Sequence, residues 1–309
     1  MTPNPLRTLD LGVRRRIDSL VPGDHEGLRL GSGTEREEVV RYQPGDDVRR
    51  IDWNITARSH DLHVWRPRTD SQLDTWVLLD LSPSMAFGTV TGEKRDLASQ
   101  IVVAMGLLTD GPGNRLGVAT FGPDGLRDHA PGRSRVAAYR AQRMLAAIEH
   151  RNGDGGPGLA TAIAAIAARY RRPGLRVIVS DFLDPHGNHD QPFDWQWPLR
   201  RLAARHDVIA VEVVDPRELA LPDVGSVVLV DPESGRQRHV WTSDRGLRRR
   251  YEAAAAAYRT AIAAAIRGCG ADHLPVNTGR DWVRDLAGFV RVRQRTLCGV
   301  GRRGGPRAR

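Results

Sequence analysis

The sequence TWVLLDLSPSM, Thr75–Met85, decides the fold of this chain. Its first part, Thr75–Leu79, is a short, mostly apolar run typical of a strand that is buried on both faces of a parallel sheet. Its second part places Asp80, Ser82 and Ser84 on the turn where that strand ends. Ligands of open α/β sheets bind at this carboxyl end of the strands. The three side chains offer hard oxygen donors, which suit Mg²⁺. Alternatively, Asp80 and Ser84 only cap the helix that follows.

A second strand with the same ending lies further along the chain. Leu175–Ser180 is an apolar run, and Asp181 follows it directly. If both strands belong to one parallel sheet, Asp80 and Asp181 lie at the same edge, because the carboxyl ends of parallel strands share one edge. The meeting of two carboxylates there would strengthen the case for a metal site.

Between and after these two strands, helical and strand patterns alternate. The predicted helices are 93–109, 134–150, 159–171, 199–205 and 246–267, and the further strands are 116–121, 207–214 and 227–230. Alternation of this kind predicts right-handed βαβ units, and therefore an α/β fold with a doubly wound, mostly parallel sheet and helices on both faces. Residues 122–125 form a turn that should lead into an antiparallel edge strand. We expect residues 1–72 to form a β-rich extension, 73–290 the α/β body, and 291–309 a flexible basic tail.

Composition limits the class of protein. Of the 309 residues, 40% are hydrophobic and 27% charged, as in a globular protein with a sizeable core. Cys269 and Cys298 lie far apart and in no metal-binding pattern, which favours a reducing compartment. There is no signal-peptide core and no run approaching the ~20 apolar residues of a membrane span, so we predict a cytoplasmic protein. A net charge of +9 is spread along the chain among acids, and a nucleic-acid partner is therefore not favoured.

A charged block precedes the first buried strand. Acids and arginines alternate through it, together with one tryptophan: Arg41, Asp46, Arg49, Asp52, Trp53 and Arg58. The favoured interpretation is an internal network in which arginines pair with carboxylates and pin an irregular segment. The alternative is a surface that engages a partner or closes over the turn at Asp80. We do not expect His60 or His63 to bind metal.

The set of motifs resembles a known family. Asp80-x-Ser82-x-Ser84, with Asp181 after a later strand, resembles the metal-ion-dependent adhesion site of von Willebrand factor A-like domains. Further motifs are similar to the bacterial proteins grouped as domain of unknown function 58: Arg41-Tyr42-x-x-Gly45-Asp46, Arg49-x-Ile51-Asp52-Trp53, Ala57-Arg58 and Ser180-Asp181-Phe182-Leu183. The resemblance extends from about residue 10 to residue 295.

This resemblance implies a von Willebrand factor A-like fold and a non-enzymatic protein-interaction module. The hydroxyls of Ser82 and Ser84 would bind Mg²⁺, Asp80 and Asp181 would bind it directly or through water, and an acidic residue of a partner protein would complete the coordination. The implied partner is a MoxR-type AAA+ ATPase, which the chain would serve as an adaptor or co-chaperone. Any ATP hydrolysis would belong to that partner, since the chain has no nucleotide-binding motif of its own.

The sequence departs from the family pattern at one loop. The position where the family has a threonine ligand is Pro157, which has no hydroxyl. Thr161 follows four residues later, inside a predicted helix, and Asp154 could take the place through a water molecule. A water molecule could also replace the missing hydroxyl, because Mg²⁺ sites commonly retain several waters.

Two other functions remain open from the residues alone. A hydrolase would use Asp80 or Ser82 as nucleophile, but no Gly-x-Ser-x-Gly motif surrounds Ser82 and no histidine is placed beside it as a base. A nucleic-acid-binding protein would use the arginine-rich surface, although the chain has no recognised nucleic-acid-binding motif.

Overall fold

The computed structural model describes residues 37–44, 47–59, 61–67, 73–89, 92–147, 156–184, 191–230 and 235–301. A six-stranded sheet in the order β10-β7-β6-β3-β4-β5 forms its centre. The first five strands of this order run parallel, and β5 is an antiparallel edge strand. The strands of the sheet are β3 (Asp74–Asp80), β4 (Arg115–Phe121), β5 (Arg127–Arg133), β6 (Leu175–Ser180), β7 (Asp207–Val214) and β10 (Asp272–Asn277).

Two small antiparallel pairs lie outside this sheet. The first joins β1 (Glu37–Arg41) to β2 (His63–Pro67), and the second joins β8 (Ser226–Val230) to β9 (Gln237–Trp241). The pair β1–β2 lies within the segment 1–72, for which a β-rich extension is predicted, and residues 1–36 of that segment lie outside the described residues.

Eight α-helices are described in addition to the strands. They are α1 (Trp53–Thr56), α2 (Lys94–Leu108), α3 (Ser134–Leu145), α4 (Leu159–Arg169), α5 (Gln196–Ala203), α6 (Pro216–Leu219), α7 (Arg245–Gly268) and α8 (Trp282–Gly301). Two short 3-10 helices, Val48–Arg50 and Pro83–Ala86, complete the described elements.

Helices cover both faces of the sheet. On one face, apolar side chains of α2, α3 and α8 pack on Val77, Leu79 and Val177. On the other, α4, α5 and α7 pack on Leu78 and Ile178. Neighbouring residues of one strand thus point into opposite cores, which explains why β3 and β6 are apolar throughout rather than alternating. The prediction of a doubly wound, mostly parallel α/β fold is confirmed.

The strand order reverses between β3 and β6. From β3 the chain first builds β4 and β5 on one side, and then crosses to build β6 and β7 on the other. The crossing connections diverge at such a point and leave a crevice at the carboxyl ends of the two strands, which is where open α/β sheets bind ligands. Asp80 ends β3, and Asp181 follows the last residue of β6.

The prediction of a flexible tail from residue 291 is wrong for residues 291–301, because α8 continues to Gly301. One reason is Arg293, which is buried and forms ion pairs with Asp207 and Asp272. These pairs fix the helix against the amino ends of β7 and β10. Residues 302–309 lie outside the described residues. No helix that the structure describes is long and apolar enough to span a membrane.

Candidate metal site at the carboxyl edge of the sheet

Asp80 is buried at the end of β3, 4% exposed, and its hydrogen bonds come from uncharged groups. The Ser82 backbone N–H donates to Oδ1 over 2.8 Å, and the Ser180 hydroxyl donates to Oδ2 over 2.6 Å. Ser180 is the last residue of the neighbouring strand β6, so the bond links the two strands at the switch point. Burial, together with the nearby charge of Asp181, raises the pKa of Asp80 to about 7.

Two serine hydroxyls lie next to each other on the turn that follows. The Oγ atoms of Ser82 and Ser84 are 3.1 Å apart. Mg²⁺ binds six oxygens at about 2.0–2.1 Å in octahedral geometry, so adjacent ligands lie about 3 Å from each other. Pro83 begins the 3-10 helix Pro83–Ala86 and fixes the backbone between the two hydroxyls. Their spacing suits two neighbouring positions around a magnesium ion.

Asp181 lies on the other side of the crevice and is fully buried. Its Oδ1 accepts a 3.1 Å hydrogen bond from the Leu183 N–H, and its Oδ2 accepts one of 2.7 Å from the Lys94 ammonium. Phe182 has a φ of 57°, a left-handed conformation uncommon for residues other than glycine. The Phe182 N–H donates to the Ser180 hydroxyl at 3.0 Å, so this sharp turn is held by the same serine that binds Asp80.

Lys94, the first residue of α2, is fully buried and belongs to an ion network. Its ammonium also pairs with Glu218, which in turn pairs with Arg259. Burial alone would lower the pKa of Lys94, but the two carboxylates raise it above its ordinary value. Burial alone would likewise raise the pKa of Asp181, and Lys94 holds it below the ordinary value. Both groups are therefore charged at neutral pH.

The network continues away from the crevice through α7. Arg259 donates to Glu212 at 3.0 Å and to the backbone carbonyl of Asp181 at 2.8 Å. His273 contacts the other oxygen of Glu212 at 2.7 Å. The network thus brings three buried or half-buried carboxylates, on Asp181, Glu212 and Glu218, together with the cations of Lys94 and Arg259 and the imidazole of His273.

Within the crevice, Asp80 is the carboxylate that has no cationic partner among the described residues; Asp215, which follows β7, is likewise bonded only to hydroxyl and N–H groups. Among the described residues, the hydrogen-bond donors of Asp80 are a hydroxyl and a backbone N–H, whereas Asp181 has an ammonium. Within the same residues, no group of three or more His, Cys, Asp and Glu side chains could hold a metal. The candidate site has two carboxylates and two hydroxyls, one carboxylate being engaged by Lys94. Hard oxygens and a carboxyl group without a cationic partner among the described residues fit a divalent cation such as Mg²⁺, whose binding would displace the proton that a pKa of about 7 leaves on part of the Asp80 side chains.

A third loop lies close to the turn at Asp80. A Cβ atom placed on Gly156 would be 1.9 Å from the carbonyl oxygen of Gly122, and one placed on Gly122 would be 2.8 Å from that of Leu81. The loop before α4 therefore packs backbone to backbone against the loop after β4, which packs in the same way against the turn after β3. Pro157 follows Gly156 in this loop and is half-buried.

Thr161 and Asp154 are the two additional candidates for the metal site. Thr161 is the third residue of α4 and is exposed. Asp154 lies outside the described residues.

The charged block is placed mostly at the surface. Arg41 forms an exposed ion pair with Asp61. Asp52 caps α1 by accepting hydrogen bonds from the N–H groups of Asn54 and Ile55. Trp53 is 68% exposed, and Arg49 and Arg58 are exposed as well. Asp46 and His60 lie outside the described residues. The described part thus contains one ion pair of the expected kind and one helix cap.

The sequence motifs do not predict a role for four residues that surround the candidate site: Lys94, Ser180, Glu218 and Arg259. A compositional signal existed for one of them, since Lys94 is the only lysine in a chain with 46 Lys and Arg residues. A chain that otherwise uses arginine retains an ammonium, which is a compact point charge, at the position where two carboxylates meet. Ser180 ends an apolar strand and belongs to the motif Ser180-Asp181-Phe182-Leu183, whereas nothing in the local sequence distinguishes Glu218 and Arg259 from surface residues.

The chain matches one protein family and several curated relatives. The family model described as "Protein of unknown function DUF58" matches residues 38–261. Uncharacterized proteins of Mycobacterium bovis and Mycobacterium tuberculosis are each 45% identical over 291 residues, 94% of this chain and 89% of theirs.

Solved structures with similar folds are more distant. An aerotolerance-related membrane protein of Bacteroides fragilis has 14% identity and a TM-score of 0.48 over 72% of this chain and 99% of its own. The SpRpn10 VWA domain has 13% identity and a TM-score of 0.38 over 70% and 93%. The extent of the family match and the identity to the mycobacterial proteins settle the classification: the chain belongs to the DUF58 family.

Proposed function

We propose that this protein is a non-enzymatic interaction module that binds a carboxylate of a partner protein at the carboxyl edge of its sheet, with the help of Mg²⁺. The observation that carries the proposal is the convergence of Asp80, Ser82 and Ser84 at the switch point, with Asp80 buried and lacking a cationic partner among the described residues. A partner's Asp or Glu would complete the coordination of a bound Mg²⁺ ion.

The chain's own residues set how strongly such an ion attracts a partner. The hydroxyls of Ser82 and Ser84 are neutral ligands, and Asp80 supplies one negative charge. Lys94 already compensates Asp181 at 2.7 Å. The protein thus offers about one net negative charge to a divalent cation, and the remaining positive charge favours an anionic ligand from outside. Removal of Lys94 would make the site more anionic and less dependent on a partner.

We further propose a MoxR-type AAA+ ATPase as the partner, with this chain as its adaptor or co-chaperone. This part rests on membership of the family and on the presence of an edge suited to an acidic side chain. Any ATP hydrolysis in the complex would then be the work of the ATPase.

A hydrolytic role has less support from the geometry. The described hydrogen-bond partners of the Ser82 side chain and backbone are Ser84 and Asp80, and a histidine is not among them. A serine nucleophile requires a neighbouring base to take up its proton.

The proposal is tested by capture of a purified MoxR-type ATPase from the same organism on the immobilised full-length chain. We expect capture in Mg²⁺ and at least tenfold weaker capture in EDTA or with Ser82→Ala. Ser226→Ala, which removes a hydroxyl from the exposed strand β8, should behave as the unchanged protein. Equal capture with and without Mg²⁺ would refute the metal-dependent mechanism. Absence of capture under both conditions would refute the ATPase partner.

A separate measurement isolates the metal. Mn²⁺ replaces Mg²⁺ at sites built from hard oxygens and is detected by electron paramagnetic resonance. We expect one bound Mn²⁺ per chain, displaced by excess Mg²⁺ and lost in Ser82→Ala and Asp80→Asn.

A further inference from the structure

A cleft on the surface of the body opens between α4 and α5. Its volume is about 400 Å³, within the range of small-molecule sites. Alanine side chains of α4 line one wall, namely Ala164, Ala167 and Ala168. Because these side chains are small, the space between the two helices remains open.

Three arginines line the same cleft. They are Arg171, just after α4, and Arg201 and Arg205, on and just after α5. None of the three forms an ion pair with a described carboxylate, and no acidic side chain is among the described residues that line the cleft. Arg171 donates to the Ala168 carbonyl at 3.3 Å, and cations stabilise helix C-termini in general. That role accounts for the places of Arg171 and Arg205, but three guanidinium groups around one concavity also create a strongly positive potential.

His206 gives independent evidence of a ligand. It lines the cleft, is 7% exposed, and its Nδ1 has no hydrogen-bond partner among the described residues. Buried polar atoms without a partner are rare and call for an explanation. Burial, reinforced by Arg176, lowers the pKa of His206 to about 4. The imidazole is therefore neutral at pH 7 and can donate a hydrogen bond to an anion.

Trp197 supplies a flat apolar surface at the side of the cleft. The guanidinium of Arg201 lies 4.6 Å from the centre of its ring, and the residue is 64% exposed. One face of the indole is thus covered by a cation, and much of the ring is open. Aromatic rings exposed beside arginines are platforms on which nucleobases stack.

We propose that the cleft between α4 and α5 binds a nucleoside phosphate, with the base stacked on Trp197 and the phosphate held by Arg205, Arg171 and His206. The chemistry is the same whether the nucleotide is free or belongs to a single strand. The cleft lies at the amino ends of β6 and β7, whose first residues follow Arg171 and His206 in the chain. It is thus at the opposite end of the sheet from the metal site, and the proposal does not depend on that site.

The test is isothermal titration of the full-length chain at low salt with AMP, adenosine and inorganic phosphate. We expect saturable binding of AMP at one site. Trp197→Ala should weaken AMP about 5- to 150-fold and leave phosphate unchanged, because the variant loses the stacking of the base on an aromatic ring. Arg205→Ala should weaken both. Arg143→Ala, the same change of charge at an exposed position of α3, should change neither by more than twofold.

The remaining outcomes decide the source of the nucleotide and can overturn the proposal. A single-stranded ten-nucleotide RNA that binds more tightly than AMP, and is weakened by the same variants, would assign the site to nucleic acid. If the RNA binds no more tightly than AMP, the site would be assigned to free nucleotides. Failure of AMP to saturate the protein at 10 mM, equal weakening by Arg143→Ala, or preference for a decaglutamate peptide would overturn the proposal.

Discussion

At the carboxyl end of the sheet the buried charge is mainly negative, whereas at the amino end it is mainly positive. Asp80 and Asp181 lie at the first end, and Arg176 lies at the second, fully buried. The two ends satisfy these charges by different means. Asp80 depends on a hydroxyl and an N–H, whereas Arg176 donates to the backbone carbonyls of Asp74, Tyr170 and Arg172 and to one carboxylate.

This difference in charge compensation indicates which kind of ligand each end of the sheet can accept. The guanidinium of Arg176 is surrounded by acceptors of the chain itself, so the excess positive charge at the amino end belongs to the arginines of the cleft. At the carboxyl end, Lys94 compensates Asp181, whereas Asp80 and Asp215 are bonded only to uncharged groups among the described residues. The carboxyl end of the sheet therefore favours a cation, and the amino end favours an anion.

The largest effect is expected from Lys94→Met. Removal of the ammonium leaves Asp181 buried without its cation and Glu218 with Arg259 alone, and loss of one partner of a buried ion pair costs about 3–5 kcal/mol. Urea unfolding followed by circular dichroism measures this loss. Arg95→Met, at the next position, removes a half-exposed pair with Glu93 and should cost less than about 1 kcal/mol.

A second variant makes this test more specific. Lys94→Met combined with Asp181→Asn removes the cation together with one of its anions and should recover part of the lost stability. If Lys94→Met is no more destabilising than Arg95→Met, Lys94 does not have the compensating role assigned to it.

A smaller loss is expected from Gly156→Ala, which tests how the carboxyl end is assembled. A Cβ atom at Gly156 would meet the Gly122 carbonyl at 1.9 Å, so the loop must move, at a cost of about 1–3 kcal/mol. Gly158→Ala is the matched control, because nothing lies within 4 Å of its Cβ, and it should cost less than about 1 kcal/mol. Equal losses would mean that the loops do not depend on this close approach.

Metal binding at the carboxyl end should appear as stabilisation. At a Mg²⁺ concentration ten times its dissociation constant, the free energy of unfolding rises by about 1.4 kcal/mol if only the folded state binds. Thermal unfolding in Mg²⁺ and in EDTA measures the difference. Ser82→Ala should lose most of the increment, and Ser226→Ala should retain it. An increment that is the same in both variants would place the effect elsewhere in the molecule.

The sequence predicted this contrast only in part, for physical reasons that differ between residues. Buried parallel strands are apolar on both faces, and so β3 and β6 were predicted, together with the acids that end them. The strand β10 was missed because Pro275 lies within it. Proline is tolerated there since β10 is an edge strand that pairs only with β7.

The partners of the buried charges could not be predicted. Lys94 begins α2 beside Arg95, and the sequence pattern does not show that the first turns into the core while the second remains near the surface. A helix and the strand β7 separate Asp181 from Glu218 in the sequence. The two carboxylates pair with the same ammonium, that of Lys94, only because β6 and β7 are neighbours in the sheet. Such contacts follow from the tertiary fold and not from local periodicity.

The last predicted effect, comparable in size with that of Mg²⁺, is at the amino end and concerns His206. Its folded pKa of about 4 lies below the 6.5 of an unperturbed histidine, so the unfolded state takes up the proton first as pH falls. The free energy of unfolding therefore has its full value above pH 6.5 and decreases between pH 6.5 and 4. At pH 5 the decrease is about 1–2 kcal/mol. Urea unfolding at pH 7 and pH 5 should show a smaller decrease in His206→Gln than in the unchanged protein. His239→Gln, on the exposed strand β9, should leave the decrease as it is. A His206→Gln protein that loses as much stability as the original would show that the imidazole is accessible to protons in the folded state, and the contrast between the two ends would then rest on the arginines alone.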